Sequence, residues 1–114
     1  MSRICVYLGS REGNSPAFRQ AAHTLGTALG QRGHTLVYGG ARVGLMGELA
    51  NAALNAGGSV IGVMPDHLVE REQAHFGLTE LIRVPNMHER KATMAANADA
   101  FIALPGGIGT FEEL

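Results

Sequence analysis

The chain has 114 residues, of which 46% are hydrophobic and 17% are charged, and its net charge is -1 with histidine neutral. This length and composition predict one globular domain and exclude a disordered chain. The weak charge and scarce aromatic residues give no basis for binding nucleic acid, and no apolar run is long enough for a signal segment or a membrane span, so we expect a cytoplasmic protein.

Short apolar runs alternate with stretches of helical periodicity along the chain. Pro16 and Asn86 stand where helices are predicted to begin, Pro16 in a first turn and Asn86 as an N-cap with Glu89 at the capping-box position. The single cysteine, Cys5, falls in an apolar run and is predicted to be buried. In chain order the predicted elements are a buried strand (4–8), a helix (16–31), a strand (35–38), a helix (45–56), a strand (60–64), an exposed polar connection (66–79), an edge strand (80–84), a helix (87–98), a buried strand (100–104) and a helix that begins at Phe111.

Alternating strands and helices predict an α/β fold with a doubly wound parallel sheet and right-handed crossovers. The helix that begins at Phe111 has only one turn before residue 114. One turn cannot cover a face of the sheet. We therefore expect residues 1–114 to form the N-terminal part of a larger domain that is C-terminally incomplete in this chain, or else a protein that needs a partner to cover that face.

Three glycine-rich segments follow predicted strands, and in a doubly wound sheet such segments lie at the carboxyl edge, where ligands bind. Their sequences are GSREGNSP (9–16), YGGARVGLMG (38–47) and PGGIGTFEE (105–113). Glycine lets backbone N–H groups approach an anion, and a following helix N-terminus adds free N–H groups, so the pattern suits phosphate. Each segment could instead be a tight turn. No standard nucleotide fingerprint fits, because PGGIGT lacks the lysine of a P-loop and neither it nor the first segment has the third glycine of a dinucleotide fingerprint.

Two further features suggest chemistry at that edge. Glu112 and Glu113 open the last predicted helix, where they could serve only as partners of the helix dipole or could face the sugar of a bound nucleotide. Arg90 and Lys91 in MHERK lie early in a helix, where the dipole does not favour cations, so they form either a solvated basic turn or a contact to a ligand anion. The histidines show no metal spacing, and we predict neither a metal nor a cofactor.

At this point the motifs resemble those of the LONELY GUY family, the cytokinin riboside 5'-monophosphate phosphoribohydrolases long labelled lysine decarboxylases. PGGIGTFEE matches the family's PGGxGTxxE, YGGARVGLMG resembles its YGGGxxGLMG, and MHERK matches its helix motif. The resemblance covers the whole chain. It implies a Rossmann-like nucleotide-binding domain, usually a homodimer, that hydrolyses the N-glycosidic bond of AMP or N6-modified AMP to free base and ribose 5-phosphate.

The same resemblance implies roles for individual residues. Arg90 and Glu113 match the family's catalytic pair. The residues expected to bind substrate are Gly9, Ser10, Gly39, Gly40, Glu72, Lys91, Gly106, Gly107, Gly109, Thr110 and Glu112. Ala41 departs from the family's third glycine, and a later substrate-contacting threonine of the family has no counterpart in the 114 residues.

Two other functions fit parts of the sequence. A related nucleotide or molybdenum-cofactor carrier would bind its ligand without hydrolysing it. A pyridoxal-phosphate decarboxylase needs a Schiff-base lysine, and the only lysine, Lys91, lies within the phosphoribohydrolase motif.

Overall fold

The computed structural model describes residues 2–8, 16–71 and 73–104. Within them the predicted strands and helices are present, with ends that differ by no more than about two residues. The predicted helix at Phe111 lies outside the described residues. The elements are β1 (Arg3–Tyr7), α1 (Pro16–Gln31), β2 (Thr35–Tyr38), α2 (Gly44–Asn55), β3 (Ser59–Pro65), a 3-10 turn (Asp66–Leu68), β4 (Glu80–Val84), α3 (Met87–Ala96) and β5 (Ala100–Ala103).

The described strands form one sheet in the order β4-β3-β2-β1-β5. Every neighbouring pair is parallel, which confirms the predicted α/β class and the predicted edge position of β4. The chain moves outward from β1 to β4 and then returns to the opposite side of β1. The direction in which successive strands are added to the sheet therefore reverses between β1 and β5. At such a switch point a ligand crevice opens beyond the carboxyl ends of the strands.

The two faces of the sheet carry separate cores. Along β2, Leu36 and Tyr38 pack with residues of α1 and α2, whereas Val37 packs on the other face with Met94 of α3. This alternation follows from the period of two in a strand. Helices α1 and α2 approach each other closely, and a Cβ at Gly26 would overlap the Leu49 carbonyl oxygen and lie 2.9 Å from the Ala52 Cβ.

The prediction that residues 100–104 form a buried strand is wrong in its burial. Strand β5 is an edge strand that pairs with β1, and Phe101 is 51% exposed. Its ring stacks on Tyr7 with centroids 6.1 Å apart. The apolar run indicated burial, but a strand at the edge of the described sheet has a neighbour on one side alone. Cys5, in contrast, is fully buried as predicted.

Candidate functional site at the carboxyl edge

The carboxyl ends of β1 and β5 lie side by side. Tyr7 is level with Ala103 in the parallel register, and the Leu104 N–H donates to the Tyr7 carbonyl at 2.9 Å. Two of the three glycine-rich segments therefore leave the sheet from neighbouring positions at the switch point. Residues 9–15 and 105–114 themselves lie outside the described residues.

The third glycine-rich segment begins with a turn over residues 39–42, called here the glycine turn. Gly40 has a φ of 90°, a backbone conformation that residues with a Cβ rarely adopt. The Tyr38 hydroxyl donates to the Ala41 carbonyl at 2.7 Å and so closes the turn from within the core. Tyr38 and Ala41 are both fully buried. Burial raises the pKa of Tyr38 strongly, while the charge of Arg90 acts in the opposite direction.

The connection between β3 and β4 docks on this turn. The His75 N–H donates to the Gly40 carbonyl at 2.8 Å, and the Arg42 N–H donates to the Gln73 carbonyl at 2.9 Å. Ala41 and Ala74 form an antiparallel bridge between these two bonds. Ala74 is therefore buried, so the prediction of an exposed connection over residues 66–79 is wrong at this point, although most of the connection is exposed.

Helix α3 brings Arg90 to the same turn. The Asn86 side chain accepts from the Glu89 N–H at 2.9 Å, which confirms the predicted N-cap and fixes where the helix begins. One turn later, Arg90 points inward and is 3% exposed, the one charged side chain that is buried within the described part of the chain. Its Nε donates to the Val63 carbonyl at 3.0 Å and its Nη2 to the Gly39 carbonyl at 2.5 Å. The alternative of a solvated basic turn is thus wrong for Arg90.

Gly39 makes room for the guanidinium. A Cβ at this position would overlap Arg90 Nη2 and lie 2.9 Å from Met46 Cε. On the other side of the guanidinium, the Met87 sulfur lies 3.9 Å from Nη1. Gly39 therefore supplies both the acceptor for Arg90 and the space that it occupies.

The structure brings together three of the predicted site residues, Gly39, Gly40 and Arg90, and places Lys91 next to Arg90 in α3 on an exposed position. The other predicted positions lie outside the described residues: Gly9, Ser10, Glu72, Gly106, Gly107, Gly109, Thr110, Glu112 and Glu113. The sequence prediction did not include Tyr38 and the Val63 carbonyl. Tyr38 could have been suspected from its place in YGG, but a backbone acceptor leaves no signal in a sequence.

The described residues form neither a metal-binding cluster nor a membrane-spanning helix. Among residues 2–8, 16–71 and 73–104, no three histidine, cysteine or acidic side chains meet in a way that could hold a metal ion. The helices in these ranges are each too short or too polar to cross a membrane.

A parallel sheet with a glycine turn and a buried arginine at its carboxyl edge has a Rossmann-like α/β fold, a class in which ligands bind at the switch point. A family model described as "Possible lysine decarboxylase" matches residues 46–114. The chain belongs to that family.

Curated relatives confirm the resemblance to the LONELY GUY proteins. A protein of Rhodococcoides fascians named cytokinin riboside 5'-monophosphate phosphoribohydrolase is 54% identical over 111 residues, which are 96% of this chain and 56% of that protein. The Arabidopsis thaliana protein of the same name, LOG1, is 52% identical over 98% of this chain and 53% of its own length. The chain thus spans about half the length of these relatives.

Solved structures share the fold at lower identity. The molybdenum cofactor carrier protein of Chlamydomonas reinhardtii superposes with a TM-score of 0.80 at 25% identity, over 97% of this chain and 66% of that one. The fold is therefore common to proteins whose names describe hydrolysis and proteins whose names describe carriage.

Proposed function

We propose that this chain carries the site of a phosphoribohydrolase that cleaves the N-glycosidic bond of AMP or N6-modified AMP. Water adds to C1' of the ribose, the bond from C1' to the base nitrogen breaks, and its electron pair leaves with the base, which takes up a proton. The products are free base and ribose 5-phosphate. No cofactor enters this reaction.

The observation that carries the proposal is the buried Arg90 at the ligand edge of the sheet. Burying a guanidinium is costly, and two backbone carbonyls orient this one, the Gly39 carbonyl just after β2 and the Val63 carbonyl within β3. The ends of β2 and β5 are separated by two strand spacings, about 10 Å. That separation suits a ligand whose phosphate binds after β5 and whose sugar extends toward Arg90.

In this proposal, the resemblance supplies the partner of Arg90. Gly106, Gly107, Gly109 and Thr110 bind the phosphate, and the Glu113 carboxylate orients the water. A carboxylate near C1' stabilises the oxocarbenium-like transition state more than the ground state, which is what catalysis requires. Arg90 orients Glu113 or the ribose. As in the family, we propose a homodimer with the site near the subunit interface.

Base release from nucleotides tests this proposal. The purified chain is incubated with AMP, N6-isopentenyl-AMP and the corresponding nucleosides, together with the Glu113→Gln and Glu80→Gln variants. Glu80 is an exposed glutamate at the amino end of β4, so it serves as a matched control. We expect release from the monophosphates alone, loss of release in Glu113→Gln and unchanged release in Glu80→Gln. Full turnover by Glu113→Gln would refute the proposed pair.

The carrier structures make ligand carriage the second candidate. A chain that binds AMP or molybdenum cofactor tightly and releases no base would favour carriage. The names of relatives above 50% identity favour hydrolysis over the carriers near 25%. Decarboxylation would require Lys91 to form a Schiff base. We expect no absorbance change when pyridoxal phosphate is added and no release of CO2 from lysine.

A further inference from the structure

Tyr38 holds the glycine turn at a point that no solvent reaches. Its ring belongs to the core shared with α1 and α2, so packing fixes the ring before the hydroxyl makes any bond. The hydroxyl then donates to the Ala41 carbonyl at 2.7 Å, and both residues are fully buried. Without the hydroxyl, that carbonyl would lose a buried donor that water is not placed to replace.

This hydrogen bond closes a ring that contains the Gly39 carbonyl. The ring runs through the backbone from Tyr38 to Ala41 and returns through the tyrosine side chain. Gly39 lies inside it and Gly40, with its φ of 90°, makes the bend. The direction of the Gly39 carbonyl is therefore set by the closure, and Arg90 Nη2 donates to this carbonyl.

Two of the bonds that Arg90 makes end on backbone carbonyls of different kinds. Its Nε is bound to Val63, which lies within the regular ladder of β3, whereas its Nη2 is bound to the turn. One bond leaves a planar guanidinium free to swing about that bond, and a second bond fixes its plane. The turn thus helps to fix how the guanidinium faces the carboxyl edge.

We propose that Tyr38 is a positioning residue, whose hydroxyl fixes the orientation of Arg90 through the Gly39 carbonyl. The inference rests on the proposed function in so far as it concerns turnover. Burial raises the pKa of Tyr38, so its hydroxyl stays a neutral hydrogen-bond donor.

The test compares Tyr38→Phe, which removes only the hydroxyl, with Thr79→Val. The Thr79 hydroxyl also bonds a backbone group, accepting from the Val60 N–H at 2.9 Å, but at the amino end of β3. We expect kcat to fall about tenfold in Tyr38→Phe with KM changed less than about twofold, because a buried hydrogen bond is lost at the positioning step. We expect Thr79→Val to leave both constants unchanged.

A double-mutant cycle asks whether the effect passes through Arg90. In an Arg90→Lys background, Tyr38→Phe should cause little further loss of kcat, because no guanidinium is then bound to the Gly39 carbonyl. Full additivity of the two losses would overturn the proposal, as would an unchanged kcat in Tyr38→Phe alone.

A readout without turnover separates this inference from the proposed function. The Arg90 Nη2–H group, which donates to the Gly39 carbonyl, gives a nitrogen–proton NMR signal that is identified by its loss in Arg90→Lys. We expect hydrogen exchange at this group to be at least about tenfold faster in Tyr38→Phe than in the wild type and in Thr79→Val. If the wild type releases no base, the proposed function fails, and this exchange rate still decides the role of Tyr38. An unchanged rate would refute it.

Discussion

Gly39→Ala is the substitution that most directly tests the contacts that hold the Arg90 guanidinium in place. The change adds one methyl group to a residue that has no positive φ, so the backbone itself accepts alanine. The added Cβ would overlap Arg90 Nη2 and would lie 3.1 Å from Arg90 Cζ and 2.9 Å from Met46 Cε. The guanidinium therefore has to move.

The size of the effect follows from these contacts. Bringing the nearest nitrogen to an ordinary van der Waals separation requires a displacement of about 1 Å. This movement breaks the bond from Nη2 to the Gly39 carbonyl, and a hydrogen bond from a charged donor contributes about 2 kcal/mol. A misplacement of about 1 Å at a catalytic group costs about 100-fold in rate. We expect kcat for base release to fall by that factor and the free energy of unfolding to fall by about 2 kcal/mol.

Steady-state kinetics and urea unfolding measure the two effects. Gly26→Ala is the matched control, because its Cβ would also overlap a neighbour, at the contact between α1 and α2. We expect this control to lose about 1–3 kcal/mol of stability and to keep its kcat. The reasoning would be refuted if Gly39→Ala kept its turnover or if both variants lost turnover equally.

Two further predictions concern the segments that frame the site. Burial, assisted by the charge of Arg42, lowers the pKa of His75, so the unfolded chain binds a proton first as the pH falls. Unfolding at pH 7 and pH 5 should show a loss of stability below about pH 6.5 that is smaller in His75→Gln, and equal losses in both proteins would contradict this. Asn86→Ala removes the cap of α3 and should cost about 1 kcal/mol in urea unfolding. A loss of less than a few tenths of a kcal/mol in the free energy of unfolding would show that the bond from the Glu89 N–H to Asn86 contributes little.

The sequence predicted the fold well because its hydrophobic periodicity is strong and specific residue types, such as Pro16 and Asn86, mark where helices begin. Helix α1 begins at Pro16 as predicted, and α3 begins after the Asn86 cap. Strand β5 was placed correctly along the chain but was wrongly predicted to be buried. An apolar run of four residues fits an edge strand as well as a central one, and strand order depends on contacts far apart in the sequence.

The site was predictable only in part, for a related reason. The resemblance implied that Arg90 is a site residue, and the structure places its guanidinium against the glycine turn, where it is buried. Two partners of Arg90 are backbone carbonyls that lie 27 and 51 residues away in the chain. Every residue type carries such a carbonyl, so no pattern of side chains could have singled out Val63.

The burial of the Arg90 guanidinium is better explained by function than by stability. Replacing buried charged groups with well-packed apolar residues is often neutral or stabilising, so a fold that needed only a filled core had no reason to place a guanidinium here. The two backbone carbonyls that bind Arg90 are neutral acceptors that orient its guanidinium. Tyr38 and the docked segment at His75 in turn fix the turn that carries one of those carbonyls. An oriented positive charge beside the end of β2, at the carboxyl edge of a parallel sheet, suits a ligand that carries a phosphate and reacts a few ångströms away from it.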